Sequence, residues 1–187
     1  GFGIRDFILN PGHFAPQFHA HVRSSPLRSF QFLNEGNWQG DQWHATPFGS
    51  ASTLRHLQRN SHAFDEDFLV FCGDAVTNID VAALLAQHRS SGADVTIAAQ
   101  HVPPDQVQKY GIIDADRSGR IFQFVEKPTP QQAPSCLASC GIYVFAPRVL
   151  KYVSGKSQQD IARHLLPALL AAGRQLQVYD ASFSWID

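Results

Sequence analysis

Between Arg5 and His101 the chain alternates short β-rich runs with helical patterns, and no other feature limits its fold as much. The expected strands are Arg5 to Asn10, Ser29 to Leu33, Phe68 to Asp74 and Asp94 to His101. Helices are expected between them. Phe14, Phe18 and Val22 recur at helical spacing with Pro16 in the first turn. Gly49 to Asn60 opens on a Gly-Ser pair, and Asp80 stands as an N-cap before Val81, Leu84, Leu85 and His88. A β-α-β-α-β-α-β order predicts an α/β fold with a doubly wound, mostly parallel sheet and helices on both faces. FLVFCGD reads as its central strand, buried on both sides. Gly73 and Asp74 then fall at a strand's carboxyl end, where ligands bind in open α/β sheets. A carboxylate there can hold Mg²⁺, which takes oxygen ligands and arrives with phosphates. It can equally start a turn or cap the next helix.

The remaining segments break the alternation. Asn34 to Pro47, with its Gly, Asn, Asp and two Trp, reads as a loop over a site. KYGIID and GRIFQFVEKP, joined by Ala115 to Gly119, read as a β-hairpin insertion. Cys140 to Phe145 is a further buried strand, and Pro147 to Val153 a short helix. Ser157-x-x-Asp160 resembles a capping box before Ile161, Leu165, Ala168 and Leu169, with Pro167 expected to break or restart that helix. Gln175 to Asp180 is the last full strand. The first turn of the Gly49 helix is expected to offer free N–H groups for an anion or a base edge.

At 187 residues, 44% hydrophobic and 17% charged, the chain suits one domain with a full core, taken as 1–187. A net charge of -1 with scattered Lys and Arg excludes a general nucleic-acid surface. No apolar run is long enough to span a membrane, no leader pattern stands at the start, and cytoplasm is the expected compartment. Cys72, Cys136 and Cys140 are too few and badly spaced for a disulfide framework or a zinc site, and Cys72 is expected buried as a small hydrophobe. The chain contains no methionine, opens on Gly1 in the approach to a strand and stops at Asp187 after an aromatic-rich run. A fragment, incomplete at both ends, is the expectation.

Five patterns stand in a fixed order: PFGSA (Pro47 to Ala51), FCGD (Phe71 to Asp74), KYGIID with GRIFQFVEKP (Lys109 to Pro128), ASCGIYVF (Ala138 to Phe145) and SWID (Ser184 to Asp187). Together they resemble the sugar-1-phosphate nucleotidyltransferases, the pyrophosphorylases of ADP-glucose, GDP-mannose, UDP-glucose and dTDP-glucose. The resemblance implies a Rossmann-like fold that joins a nucleoside triphosphate to a sugar 1-phosphate and releases pyrophosphate. Such chemistry rests on positioning and charge neutralisation rather than a protein nucleophile. Asp74 matches the family's Gly-Asp carboxylate and Asp187 the Asp of its W-x-D pattern, implying catalytic acids that share one Mg²⁺. Glu126 and Lys127 match E-K-P, the carboxylate for sugar hydroxyls and the ammonium for the sugar phosphate. Gly111 and Gly141 fit close approaches of backbone to a sugar ring, Ser139 faces the sugar, and Gly49 and Ser50 match the turn that reads the base.

Asp114-x-Asp116 lies in the expected hairpin turn, and His19-x-His21 lacks a third ligand, so neither is taken as a metal site. The family's G-x-G-T-R-L-x-P-L phosphate loop and its C-terminal appendage are absent from the 187 residues. The chain as given is expected to bind sugar phosphate weakly and not to turn over. ASCGIYVF is similar to ADP-glucose enzymes, whereas FCGDAVTNIDVAALLAQHR is closer to bacterial mannose-1-phosphate guanylyltransferases. GDP-mannose and ADP-glucose are thus favoured slightly over dTDP-glucose, and a homo-oligomer is left open. The rival readings are a non-catalytic relative of the same fold and a metal-dependent glycosyltransferase.

Overall fold

The computed structural model describes residues 4, 6–24, 29–155 and 158–186. The chain divides into two compact units, Gly1–Phe48 and Gly49–Asp187. In the first, β1 (Phe7–Leu9), α1 (Ala15–Arg23) and β2 (Phe30–Phe32) form the expected β-α-β crossover. β1 and β2 are parallel, with Phe7 opposite Phe30, and Pro16 sits in the first turn of α1. The segment expected as a loop is instead a hairpin, β3 (Gly36–Gln39) against β4 (Gln42–Ala45). Gly40, at φ +59°, makes its turn, and Trp38 opposes Trp43 with ring centroids 5.8 Å apart. Aromatic pairing across the strands outweighs the turn-forming composition that suggested a loop.

The second unit begins with α2 (Ser50–Ser61), β5 (Phe68–Phe71), β6 (Val76–Thr77), α3 (Val81–Ser91) and β7 (Val95–His101). It continues with β8 (Gly111–Ala115), β9 (Arg120–Glu126), β10 (Leu137–Phe145), α4 (Leu166–Ala171), β11 (Leu176–Tyr179) and β12 (Trp185–Ile186). Asp80 caps α3 as expected, its carboxylate accepting the Ala83 N–H at 3.0 Å, and Gly92 ends the helix at φ +63°. Val81, Leu84 and His88 are the buried stripe of α3. Leu84 packs with Ile142, Val144 and Ala98 of the sheet.

Six strands form one sheet in the order β5-β10-β7-β11-β9-β8. Here the expected mostly parallel sheet is corrected to a mixed one. β5, β7 and β11 do run in one direction, but β10 lies antiparallel between β5 and β7, so β11–β7 is the parallel pairing in this sheet among the described residues. The start of β10 pairs antiparallel with β8, Leu137 opposite Ile113, and this directs the strand against β5 and β7. The hairpin β8–β9 forms as expected, turning on Asp116, whose Oδ1 accepts the N–H groups of Ser118 and Arg120 at 2.8 and 3.1 Å. It bridges the sheet, with β9 against β11 and β8 against the start of β10.

FLVFCGD is therefore not the central strand. Among the described residues β5 pairs with β10 alone, its first three residues are half-buried, Phe71 is 42% exposed and Cys72 is exposed rather than buried. The apolar centre is β7 and β10, where Val95 to Ala99 and all of β10 except Gly141 are buried.

Candidate functional site

β5, β8, β9 and β10 bring the sequence motifs to one region of the second unit. β5 ends at Phe71, and the Cys72 N–H then donates to the Gly141 carbonyl at 2.9 Å, which ties FCGD to ASCGIYVF. β10 slips register between Ser139 and Ile142, and Gly141 occupies that bulge at φ +69°. A Cβ on Gly141 would lie 2.7 Å from the Cys72 Sγ on a backbone that larger residues rarely adopt, so a substitution there is strained. Asp74, two residues beyond Cys72, is exposed.

The second convergence is at the hairpin's open end. Gly111, first residue of β8, is opposite Glu126, last residue of β9. A Cβ on Gly111 would lie 3.0 Å from Glu126 Oε2 and would strike the Phe124 ring. Lys127 follows with φ +49°, a left-handed backbone that a lysine rarely adopts, and its N–H donates to the Tyr110 carbonyl at 2.9 Å. Strain of this kind persists where surrounding structure over-determines it, and it clusters at functional sites. The Lys127 side chain is exposed and Pro128 behind it is buried.

Electrostatics link these groups. Burial pushes the Glu126 carboxyl above its usual value, Lys127 and Arg163 oppose the rise, and Asp160 adds to it. Burial also raises the Tyr143 phenol, with the Ser139 hydrogen bond opposing and Cys72, Glu126 and Asp160 contributing. Ser139, 7% exposed, donates its hydroxyl to Tyr143 Oη at 3.4 Å and accepts the Gly141 N–H at 3.4 Å. Glu126 and Asp160 thus both act on the Tyr143 phenol, and Ser139 joins that phenol to the Gly141 bulge. Tyr143 and Asp160 were not singled out as site residues by sequence reasoning. The signal for Asp160 was its capping position, which reads as structure.

At the start of α2, the expected free N–H groups are not free. Ala51 and Ser52 both donate to the Gln159 carbonyl, at 2.9 and 3.1 Å. The Ser50 hydroxyl donates to Asp160 Oδ2 at 2.9 Å and accepts the Ile161 N–H at 2.9 Å. Gly49 (φ +88°) permits this, because a Cβ there would lie 2.6 Å from the Gln159 oxygen. Asp160, rather than the Ser157 of the expected capping box, is the observed cap of the following turn: its Oδ1 accepts from Ala162 and Arg163. Ser157 lies outside the described residues.

β12 pairs antiparallel with β6, placing Ile186 opposite Val76, two residues past Asp74. Trp185 packs on Tyr110 at 5.1 Å between ring centroids, joining SWID to KYGIID. Asp187, expected as a catalytic acid and Mg²⁺ ligand, lies outside the described residues. Among the described residues no group of three His, Cys, Asp or Glu could hold a metal. Mg²⁺ does not require one, since it is commonly bound through one or two carboxylates plus substrate phosphates. Asp74, exposed after β5, has carboxylate oxygens of the hard kind that such binding uses. His19 packs its ring on Phe32 at 3.8 Å between centroids, a structural contact rather than a ligand arrangement.

The family model for "Nucleotidyl transferase" matches residues 9–187. The chain belongs to this nucleotidyl transferase family. Its curated relatives include the UTP–glucose-1-phosphate uridylyltransferase of Synechocystis sp., 31% identical over 99% of this chain and 48% of that protein. The glucose-1-phosphate adenylyltransferase of Rhodococcus erythropolis is 38% identical over 75% of this chain and 37% of its own length. The chain thus spans half or less of the length of these two relatives. Among solved structures, HddC from Yersinia pseudotuberculosis covers the whole chain at a TM-score of 0.72 and 19% identity, which supports the fold. UDP-glucose pyrophosphorylase from Acinetobacter baumanii gives 0.71 at 18% identity. No described helix of this nucleotidyl transferase chain is long and apolar enough to cross a membrane.

Proposed function

We propose that the chain carries the sugar-binding part of a nucleotidyltransferase that condenses a nucleoside triphosphate with glucose 1-phosphate and releases pyrophosphate. The observation that carries the reading is the register of β8: Gly111 stands opposite Glu126 of β9, with Lys127 next, and Ile112 stands opposite Ala138 of β10, with Ser139 and the bulge glycine Gly141 just beyond. The two glycines leave backbone bare where a sugar ring can lie close, and Glu126 accepts its hydroxyls. The Lys127 ammonium would neutralise the sugar phosphate, and the backbone of Gly49 and Ser50 would lie beside the base. Asp74, with Asp187, would hold Mg²⁺, which when bound neutralises charge on the reacting phosphates. Glucose is favoured over mannose because both curated relatives above are named for glucose 1-phosphate. The base is left to experiment.

The test is pyrophosphate release by the full-length protein with Mg²⁺, each of ATP, UTP, GTP and dTTP, and glucose or mannose 1-phosphate. Release with glucose 1-phosphate is expected. Asp74→Asn should lower kcat by about 100-fold or more, the scale of one lost electrostatic contact to a reacting oxyanion. Sugar transfer from a nucleotide sugar to an acceptor, or no reaction with any pair, overturns the reading.

A further inference from the structure

The contacts at the start of α2 assign a second job to a residue expected at the base. A serine hydroxyl has one proton to donate, and Ser50 directs its proton at Asp160 Oδ2. One of its lone pairs takes the Ile161 N–H. The Ser50 hydroxyl therefore cannot donate to a base edge while these contacts hold. The same clasp includes the Gln159 carbonyl, which receives Ala51 and Ser52, and the Gln159 N–H, which donates to Ser52 Oγ at 2.8 Å. On its far side Asp160 caps the turn Ile161–Leu165, a π-type turn packed against β9, the strand that ends in Glu126. The charged groups acting on Glu126 are Lys127, next in sequence, and Asp160 and Arg163 of the turn packed against β9. Asp160 belongs to the clasp, and Arg163 to the turn that Asp160 caps.

We propose that the Ser50 hydroxyl is a positioning group for the sugar phosphate end of the site, pinning Asp160 and its turn beside Glu126, and is not a base-reading group. The proposal rests on the nucleotidyl transfer reading above. Without the hydroxyl, Asp160 Oδ2 loses its partner, the turn bearing Arg163 loosens, and the charge around Glu126 is no longer fixed. The nucleotide end keeps the backbone of Gly49 and Ser50 unchanged.

The experiment compares Ser50→Ala, Ser50→Thr, Asp160→Asn and the Ser50→Ala/Asp160→Asn double variant in the full-length protein. Both substrates are varied. Ser50→Ala should raise KM for glucose 1-phosphate by about tenfold, the weight of one hydrogen bond to a charged group. KM for the triphosphate should stay within about twofold, which is less than one ordinary hydrogen bond. Ser50→Thr should restore the parent values, and the double variant should be little worse than either single one, because both remove the same contact. A rise in triphosphate KM with sugar phosphate KM unchanged makes Ser50 a base reader and overturns the proposal. A lower Tm with both KM values unchanged reduces it to helix capping and also overturns it. Calorimetric binding of glucose 1-phosphate gives the same comparison without turnover. A protein that binds the sugar phosphate but transfers nothing sinks the reaction while still testing the pin; one that binds none sinks both.

Discussion

At the scale of single residues, the site is built from backbone conformations that cost stability. Lys127 holds φ +49°, where a residue with a Cβ is disfavoured by roughly 1–2 kcal/mol and glycine is not. Lys127→Gly should therefore be about 1 kcal/mol more stable than Lys127→Ala, while both lose sugar phosphate binding alike; urea unfolding with a binding titration checks it. Glu126 shows the same opposition. Burial raises its folded pKa above the usual value, so its contribution to stability is fully present below the unfolded value and is lost as pH rises through the folded one. Glu126→Gln should raise Tm at neutral pH and still weaken glucose 1-phosphate binding. Equal Tm in the two proteins would contradict it. Gly141 is a third case, since Gly141→Ala meets both a positive φ and the Cys72 Sγ. These residues were legible as a motif. That Lys127 is held left-handed was not, because the N–H bond to Tyr110 that fixes it comes from another segment.

At the scale of elements, capping chemistry was read correctly where it is local. Asp80 and Gly92 bound α3 as their sequence positions imply, and Asp80→Ala should cost about 1 kcal/mol by thermal unfolding. Pro167 restarts a helix, as expected: α4 begins at Leu166, directly after the π-type turn Ile161–Leu165. The cap of that turn was misplaced because Asp160 serves two elements at once, its own turn through Oδ1 and α2 through Oδ2. A window of sequence sees the first role alone. The hairpin β3–β4 was missed for a related reason, since its stabilising Trp38–Trp43 pair exists only once the strands align.

For the second unit as a whole, buried polar groups set the response to acid. Asp94, 3% exposed, accepts Arg148 and Arg174 at 2.5 Å each and the Gln175 N–H at 2.9 Å, holding β7 to the segments before β11 and after β10. Burial pulls its carboxyl upward, but those bonds take it from 3.8 to about 2. Its stabilisation is complete above the unfolded value and is lost as pH falls toward 2; with Arg148 half exposed it amounts to on the order of 1–2 kcal/mol. His88, packed between Thr96 and Asp67, is lowered from 6.5 chiefly by burial, against the pull of Asp67. Its neutral form is favoured, so stability falls as pH drops below 6.5 through its folded value, in the same direction as Asp94. Denaturant midpoints should decline below about pH 6.5, and Asp94→Asn should flatten the portion below about pH 4. A midpoint independent of pH would contradict both assignments. The sequence by itself determined the α/β class, most element positions and the chemistry-bearing motifs, because caps, turns and apolar periods act over a few residues. Only the tertiary structure decided that β10 separates β5 from β7, that FLVFCGD pairs with β10 alone among the described residues, and that Ser50 and Asp160, 110 positions apart, share a hydrogen bond. Strand order and long-range hydrogen bonds depend on which surfaces meet after the chain collapses, and no local pattern encodes that.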